Sequence, residues 1–114
     1  MNLPEILKLT QKELANKLTT FLNENGYKDN MLVTNKYIFA KGEIPIMLVS
    51  HMDTVHLIPV KDLFYDKEKD VLWSPEGVGG DDRCGVYAIT NLIKKRFETI
   101  YTIYYRWRER LFRS

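Results

Sequence analysis

The chain has a single cysteine, Cys84, in 114 residues. One thiol excludes an internal disulfide framework, so stability must come from a packed core. No apolar run is long enough to span a membrane as a helix. The opening stretch MNLPEILKLTQKEL lacks the basic-then-apolar order of a secretory signal. Charge of one sign is also lacking: the net charge is +2, too small to argue for nucleic acid. Together these absences lead us to expect a soluble, cytoplasmic protein with neither a nucleic acid nor a membrane as partner. What is present suits a globule, with 45% hydrophobic and 28% charged residues. That balance excludes disorder and allows one domain with a real core.

Hydrophobic periodicity gives a coarse order of elements. Thr10 followed by Glu13 is a capping-box pattern opening a helix to Gly26, with Leu14, Leu18, Phe21 and Leu22 on one stripe. Gly26 stands where a left-handed C-cap residue is common. Met31 to Thr34 and Tyr37 to Lys41 read as short strands joined by a turn at Asn35-Lys36. Ile44 to Ser50 is nearly all apolar, the pattern of a strand covered on both faces. Val55 to Val60 reads as loop and Asp70 to Trp73 as a short strand. Ser74 to Gly80 is loop. Asp82 to Arg96 reads as a helix with Val86, Ile89, Leu92 and Ile93 on one face, and Thr99 to Tyr105 as a strand. Trp73, Tyr37 and Phe39 look like core or sheet-face residues. Strands alternating with helices predict an α/β layered domain with a mixed sheet.

Two short motifs carry chemistry. The first, Ser50-His51-Met52-Asp53-Thr54-Val55, lies at the carboxyl end of the apolar strand, where α/β sheets gather their binding sites. His51 and Asp53 are two apart, so in extended backbone they project to one side. One imidazole nitrogen can bind a metal while a carboxylate accepts a hydrogen bond from the other and orients the ring. The plainer reading is a strand-end histidine held by a carboxylate. The second motif, Gly77-Val78-Gly79-Gly80-Asp81-Asp82-Arg83-Cys84-Gly85, opens a helix. Its glycines let the backbone approach a site closely. Its aspartates are favoured at a helix N-terminus in any case. A phosphate loop is excluded because no Gly-Lys-Ser/Thr follows and two carboxylates repel phosphate.

In combination the motifs are more specific. A strand ending in His-x-Asp-Thr-Val, then a loop and short strand, then Gly-Gly-Asp-Asp-Arg-x-Gly opening a helix, resembles the co-catalytic zinc peptidases. That group includes the peptidase T-like and carboxypeptidase-like enzymes and related aminopeptidases. The resemblance runs from about Met31 to Phe97. It implies part of a phosphorylase/hydrolase-like layered fold, with residues 1–97 as the N-terminal part of a catalytic domain. It implies that His51 ligates one of two zinc ions and that Asp53 is the catalytic-centre carboxylate orienting it. Asp81, four before the helix glycine Gly85, matches the aspartate that bridges both metals, with Asp82 as runner-up. A cis peptide after Asp81 is implied too. The implied reaction is hydrolysis of a small peptide or an amidated amino acid. His56 and Glu76 match no family position, and Cys84 is expected to pack inward.

The family also needs a catalytic glutamate beside a ligand glutamate, on the strand after the helix. Here that strand ends in Tyr104-Tyr105-Arg106-Trp107-Arg108-Glu109-Arg110, without a glutamate pair. The isolated chain is therefore expected to be inactive and at most a weak binder of zinc. A non-catalytic, truncated or partner-dependent fragment is the alternative, self-associating through exposed sheet edges. The interleaved basic and aromatic tail, residues 98–114 with the strand, gives a second alternative, a basic-tailed binding module.

A frameshift accounts for the tail more directly. Read one nucleotide later from Glu98, the permitted codons include Lys-Pro-Tyr-Ile-Leu-Phe-Thr-Thr-Asp-Gly-Glu-x-Gly-Cys-Leu-Gly, which resembles the family's catalytic-glutamate loop. The lysine-or-arginine and the first glycine are forced, and the rest are allowed by degeneracy. Sequencing the gene tests this: the shifted frame is expected to encode glutamate across the Arg108 codon, and any other residue there ends the idea.

Overall fold

The computed structural model describes residues 1–54, 59–95 and 100–106. Within them the chain is a small α/β protein with a mixed sheet and flanking helices. The elements are α1 (Leu3–Lys8), α2 (Gln11–Leu22), β1 (Met31–Val33), β2 (Tyr37–Ala40), β3 (Ile44–His51), β4 (Phe64–Asp66), β5 (Val71–Trp73), α3 (Gly80–Lys94) and β6 (Ile100–Tyr105). The main sheet has the order β1-β2-β6-β3, and β4 and β5 form a separate two-stranded ribbon. β1, β2 and β6 pair antiparallel, whereas β3 runs parallel to β6. A parallel pair needs a crossover, and α3 supplies it.

Local chemistry explains the helices. Asn2 caps α1 by accepting from the Glu5 amide, and a proline sits in its first turn. This six-residue helix is too short to show a period, so sequence patterning does not reveal it. At α2 both arms of the capping box form. The Glu13 amide donates to Thr10 Oγ1 at 3.1 Å, and the Thr10 amide donates to Glu13 Oε1 at 2.9 Å. Leu14, Leu18 and Leu22, spaced by four, are fully buried. Regular α2 ends at Leu22, earlier than Gly26. Asn23 to Tyr27 form a wider closing turn in which Gly26 takes φ 94°, a conformation open to glycine. That turn buries Tyr27, whose hydroxyl accepts from the Ile100 amide at 3.1 Å and donates to the Ile100 carbonyl. The end of the first helical unit is thereby tied to the start of the central strand.

All three helices pack into one cluster with the same side of the sheet. Ile6, Leu14, Leu18 and Leu22 meet Val86, Ile89 and Ile93 over Ile38, Ala40, Ile100 and Tyr104. Each such side chain, fully buried, is worth about 1.5–3 kcal/mol of transfer free energy. Leu92, expected on the buried face of α3, is 39% exposed.

The apolar run Ile44 to Ser50 does not have two covered faces. Among the described residues β3 is an edge strand, hydrogen-bonded only to β6, and Ile46, Met47 and Val49 are each about half exposed. Among the described residues, helices cover one side of the sheet, and the alternate positions Leu48 and Ser50 turn toward it. Phe64–Asp66 pairs with Val71–Trp73, and Asp70 closes the hairpin at φ 51°. Trp73 is not core; it is half exposed and stacks on Phe64 at 4.8 Å. Among the described residues, no helix is long and apolar enough to cross a membrane.

The capping box predicts a measurable acid sensitivity. The Thr10 amide and hydroxyl hold the Glu13 carboxyl below its usual range. A depressed carboxyl contributes stability above its unfolded pKa and loses it as pH falls through the folded one. Thr10→Ala is expected to cost about 1 kcal/mol in urea unfolding at neutral pH. Glu13→Gln is expected to remove the acid-dependent part of that contribution, read from the same experiment at acid pH.

Candidate functional site

The site forms where β3 leaves the sheet and α3 begins. The ladder continues one residue beyond β3, because the Met52 amide donates to the Tyr105 carbonyl at 2.8 Å. Extended backbone therefore sends Ser50 and Met52 to the helix side and His51 to the opposite side. There the imidazole meets the Tyr105 ring edge-on, with centroids 6.2 Å apart. His51 is largely enclosed, its side chain 13% exposed.

Both ring nitrogens of His51 face acceptors. Nδ1 lies 3.0 Å from the Asp53 backbone carbonyl and 3.3 Å from Asp53 Oδ1. Nε2 lies 3.0 Å from Asp81 Oδ1. A neutral imidazole has one N–H. If Nδ1 donates to Asp53, the Nε2 lone pair points at a carboxylate oxygen. That approach is repulsive unless a proton or a cation lies between them. The Asp81 side chain is 91% exposed, so water and ions reach this pair.

Asp82 is turned the other way. Ser50 Oγ donates to Asp82 Oδ2 at 2.9 Å and lies 3.1 Å from the Asp82 carbonyl oxygen. A methyl group on Gly85 would run into that carboxylate, so glycine is required one turn on. The Asp81–Asp82 peptide is cis, and neither residue has helical backbone angles. Two adjacent carboxylates thus serve different neighbours: Asp81 faces His51 at the surface, and Asp82 anchors the helix start to β3. Gly77 and Gly79 take φ of 82° and 67° in the loop that brings them there.

Of the residues picked from sequence, His51, Asp53 and Asp81 come together, while Asp82 does not face the imidazole. Glu76 is exposed, its amide donating to Ser74 Oγ at 3.2 Å. His56 lies outside the described residues, as do Trp107 and the rest of the basic tail. Cys84 does not pack inward; it is exposed. Arg83, Val86, Thr90 and Ile93 occupy the buried stripe of α3, and residue 84 is about 100° round the helix from 83.

Arg83 is the residue that pattern reading passes over. Its guanidinium is buried and donates to three backbone carbonyls: Met52, Ile6 at 2.6 Å and Leu9 at 3.0 Å. Burial lowers its pKa to about 10, and the nearby Asp53 carboxylate opposes that shift. Met52 lies between His51 and Asp53, so Arg83 fixes the backbone that presents both. The signal was its place within Asp-Asp-Arg-x-Gly, but only coordinates reveal carbonyl partners.

Among the described residues, no group of three or more His, Cys, Asp or Glu side chains is arranged to hold a metal ion. The pair His51 and Asp81 suits two coordination positions, with Asp53 behind the ring. Comparison with known proteins adds no relative: no family, curated protein or solved structure matches the chain.

Arg83→Met is expected to destabilise the protein by about 3 kcal/mol or more, because three buried carbonyls lose their donor. Arg83→Lys is expected to recover only part, since one ammonium cannot span the same fork. Urea unfolding measures both, and wild-type stability in the Met variant would remove the role.

Proposed function

We propose that the chain carries a partial metal centre of a zinc-dependent hydrolase of peptide or related amide bonds, the class its two motifs resemble. His51 Nε2 and Asp81 supply two ligands of one divalent cation. Asp53 holds the Nδ1 proton and so directs the Nε2 lone pair outward. The observation carrying this reading is the 3.0 Å approach of His51 Nε2 to a carboxylate oxygen of Asp81. Zinc is the cation of choice for an imidazole and carboxylate set, and it supplies Lewis acidity toward an amide carbonyl when bound. Two protein ligands fall short of the three usual in catalytic zinc sites. Weak binding and no turnover by the isolated chain are therefore part of the proposal, as is the incomplete zinc-peptidase fold.

A second reading has its own support. The sheet has helices on one side and leaves apolar side chains such as Met47 and Val49 exposed on the other. A layered domain normally covers both faces. A non-catalytic fragment that depends on a partner for that cover would look this way, with the His51–Asp81 contact serving only as an ion pair.

Zinc titration by calorimetry on the purified, metal-stripped chain separates the two. The metal reading expects one zinc per chain. His51→Ala and Asp81→Asn should each weaken binding at least about tenfold, whereas Asp82→Asn should not if the fold is intact. No zinc uptake would leave the ion pair alone. Assays on di- and tripeptides with zinc present are expected to show no hydrolysis by the chain by itself.

A further inference from the structure

Strand register assembles the side of the sheet that no described helix covers into ordered rows. Leu32 pairs with Phe39, Phe39 with Ile103, and Ile103 with Val49. Paired positions share a face, so these four apolar side chains cross all four strands in one line. Tyr37 and Tyr105 are paired in the next row, beside His51. On the other flank, Tyr101 lies 6.3 Å from Phe39, ring centre to ring centre. The Leu32–Phe39–Ile103–Val49 row carries neither a carboxylate nor an ammonium group, and the nearest charge on its Tyr101 flank is Lys41, which follows β2. Leu32 and Val49 are 52% exposed, whereas Ile38, Ala40, Thr102 and Tyr104, on the helix side of the two central strands, are buried.

The free edge of β3 is a poorer adhesive than this face. Pro45 has no amide to donate, and the register slips between Ile44 and Met47. A proline and a bulge are standard obstacles to edge pairing. We propose that the uncovered face docks a second copy of this chain, sheet against sheet about a twofold axis. An uncharged apolar row can meet its own copy without like-charge repulsion, and it offers a charged partner nothing to pair with. Four strands at about 4.8 Å and five residues at about 3.3 Å give a face of roughly 300 Å² in projection. With side chains interdigitated, the pair buries on the order of 1,000 Å² in all, the low end of specific interfaces. The dimer is therefore weak, with a dissociation constant of tens of micromolar by order of magnitude.

Sedimentation velocity over about 1–300 µM protein, with chelator present, tests this independently of the metal reading. The wild type is expected to shift from monomer to dimer across that range. Val49→Lys changes a half-exposed side chain and should leave the fold intact by far-ultraviolet circular dichroism, while weakening the dimer at least tenfold. Phe39→Lys is a second variant on the same row. Val33→Lys, on the helix-side row, should leave dimerisation unchanged. A monomer at every concentration overturns the proposal, as does a dimer that survives Val49→Lys in a folded protein. A dimer strengthened by Pro45→Val and indifferent to Val49→Lys would put the contact at the edge and overturn it equally.

Discussion

The buried guanidinium of Arg83 is the constraint on which the remaining geometry leans. A charge taken out of water must be repaid by hydrogen bonds, and three carbonyls from separate segments supply them. Two of those carbonyls belong to α1 and to the link into α2, and the third to the residue after β3. One side chain thus holds the N-terminal helix, the exit of the parallel strand and the start of α3 in a single arrangement. The proximity of Asp53 keeps the charge on Arg83 favourable despite burial. The same carboxyl group stands beside His51 Nδ1, so the packing problem and the candidate site share a component.

That sharing explains the division of labour between the two aspartates. Asp82 accepts from Ser50 and occupies the space that a side chain on Gly85 would need. Asp81 has neither restraint and takes the exposed position next to the imidazole. Neighbouring residues with identical chemistry acquire different roles because one has an inward partner and the other does not.

The elements with strong periodicity were legible before coordinates. The leucines of α2, the capping box at Thr10, the two short strands and the β-branched β6 all lie close to where patterning puts them. The meeting of His51, Asp53 and Asp81 was expected from what the two motifs together resemble, since periodicity alone says nothing of which element ends converge. Misreadings have a common cause: sequence shows that a residue is apolar, not whether anything covers it. Ile44 to Ser50 reads as a doubly buried strand, but Ile46, Met47 and Val49 are half exposed, with no described element layered over them. Trp73 reads as core for the same reason. Arg83 was illegible because its partners are main-chain atoms, which carry no sequence signature. Helix α1 is below the length at which a period can be recognised.

The irregularity at the start of β3 bears on what this surface can become. Lateral addition of strands has no natural end, because every added copy offers a fresh edge to the next. Contact through one broad side is self-limiting, since each copy has a single such side to spend. Pro45 and the slipped register beside it spoil the border on the β3 side, which disfavours fibrous growth through that edge.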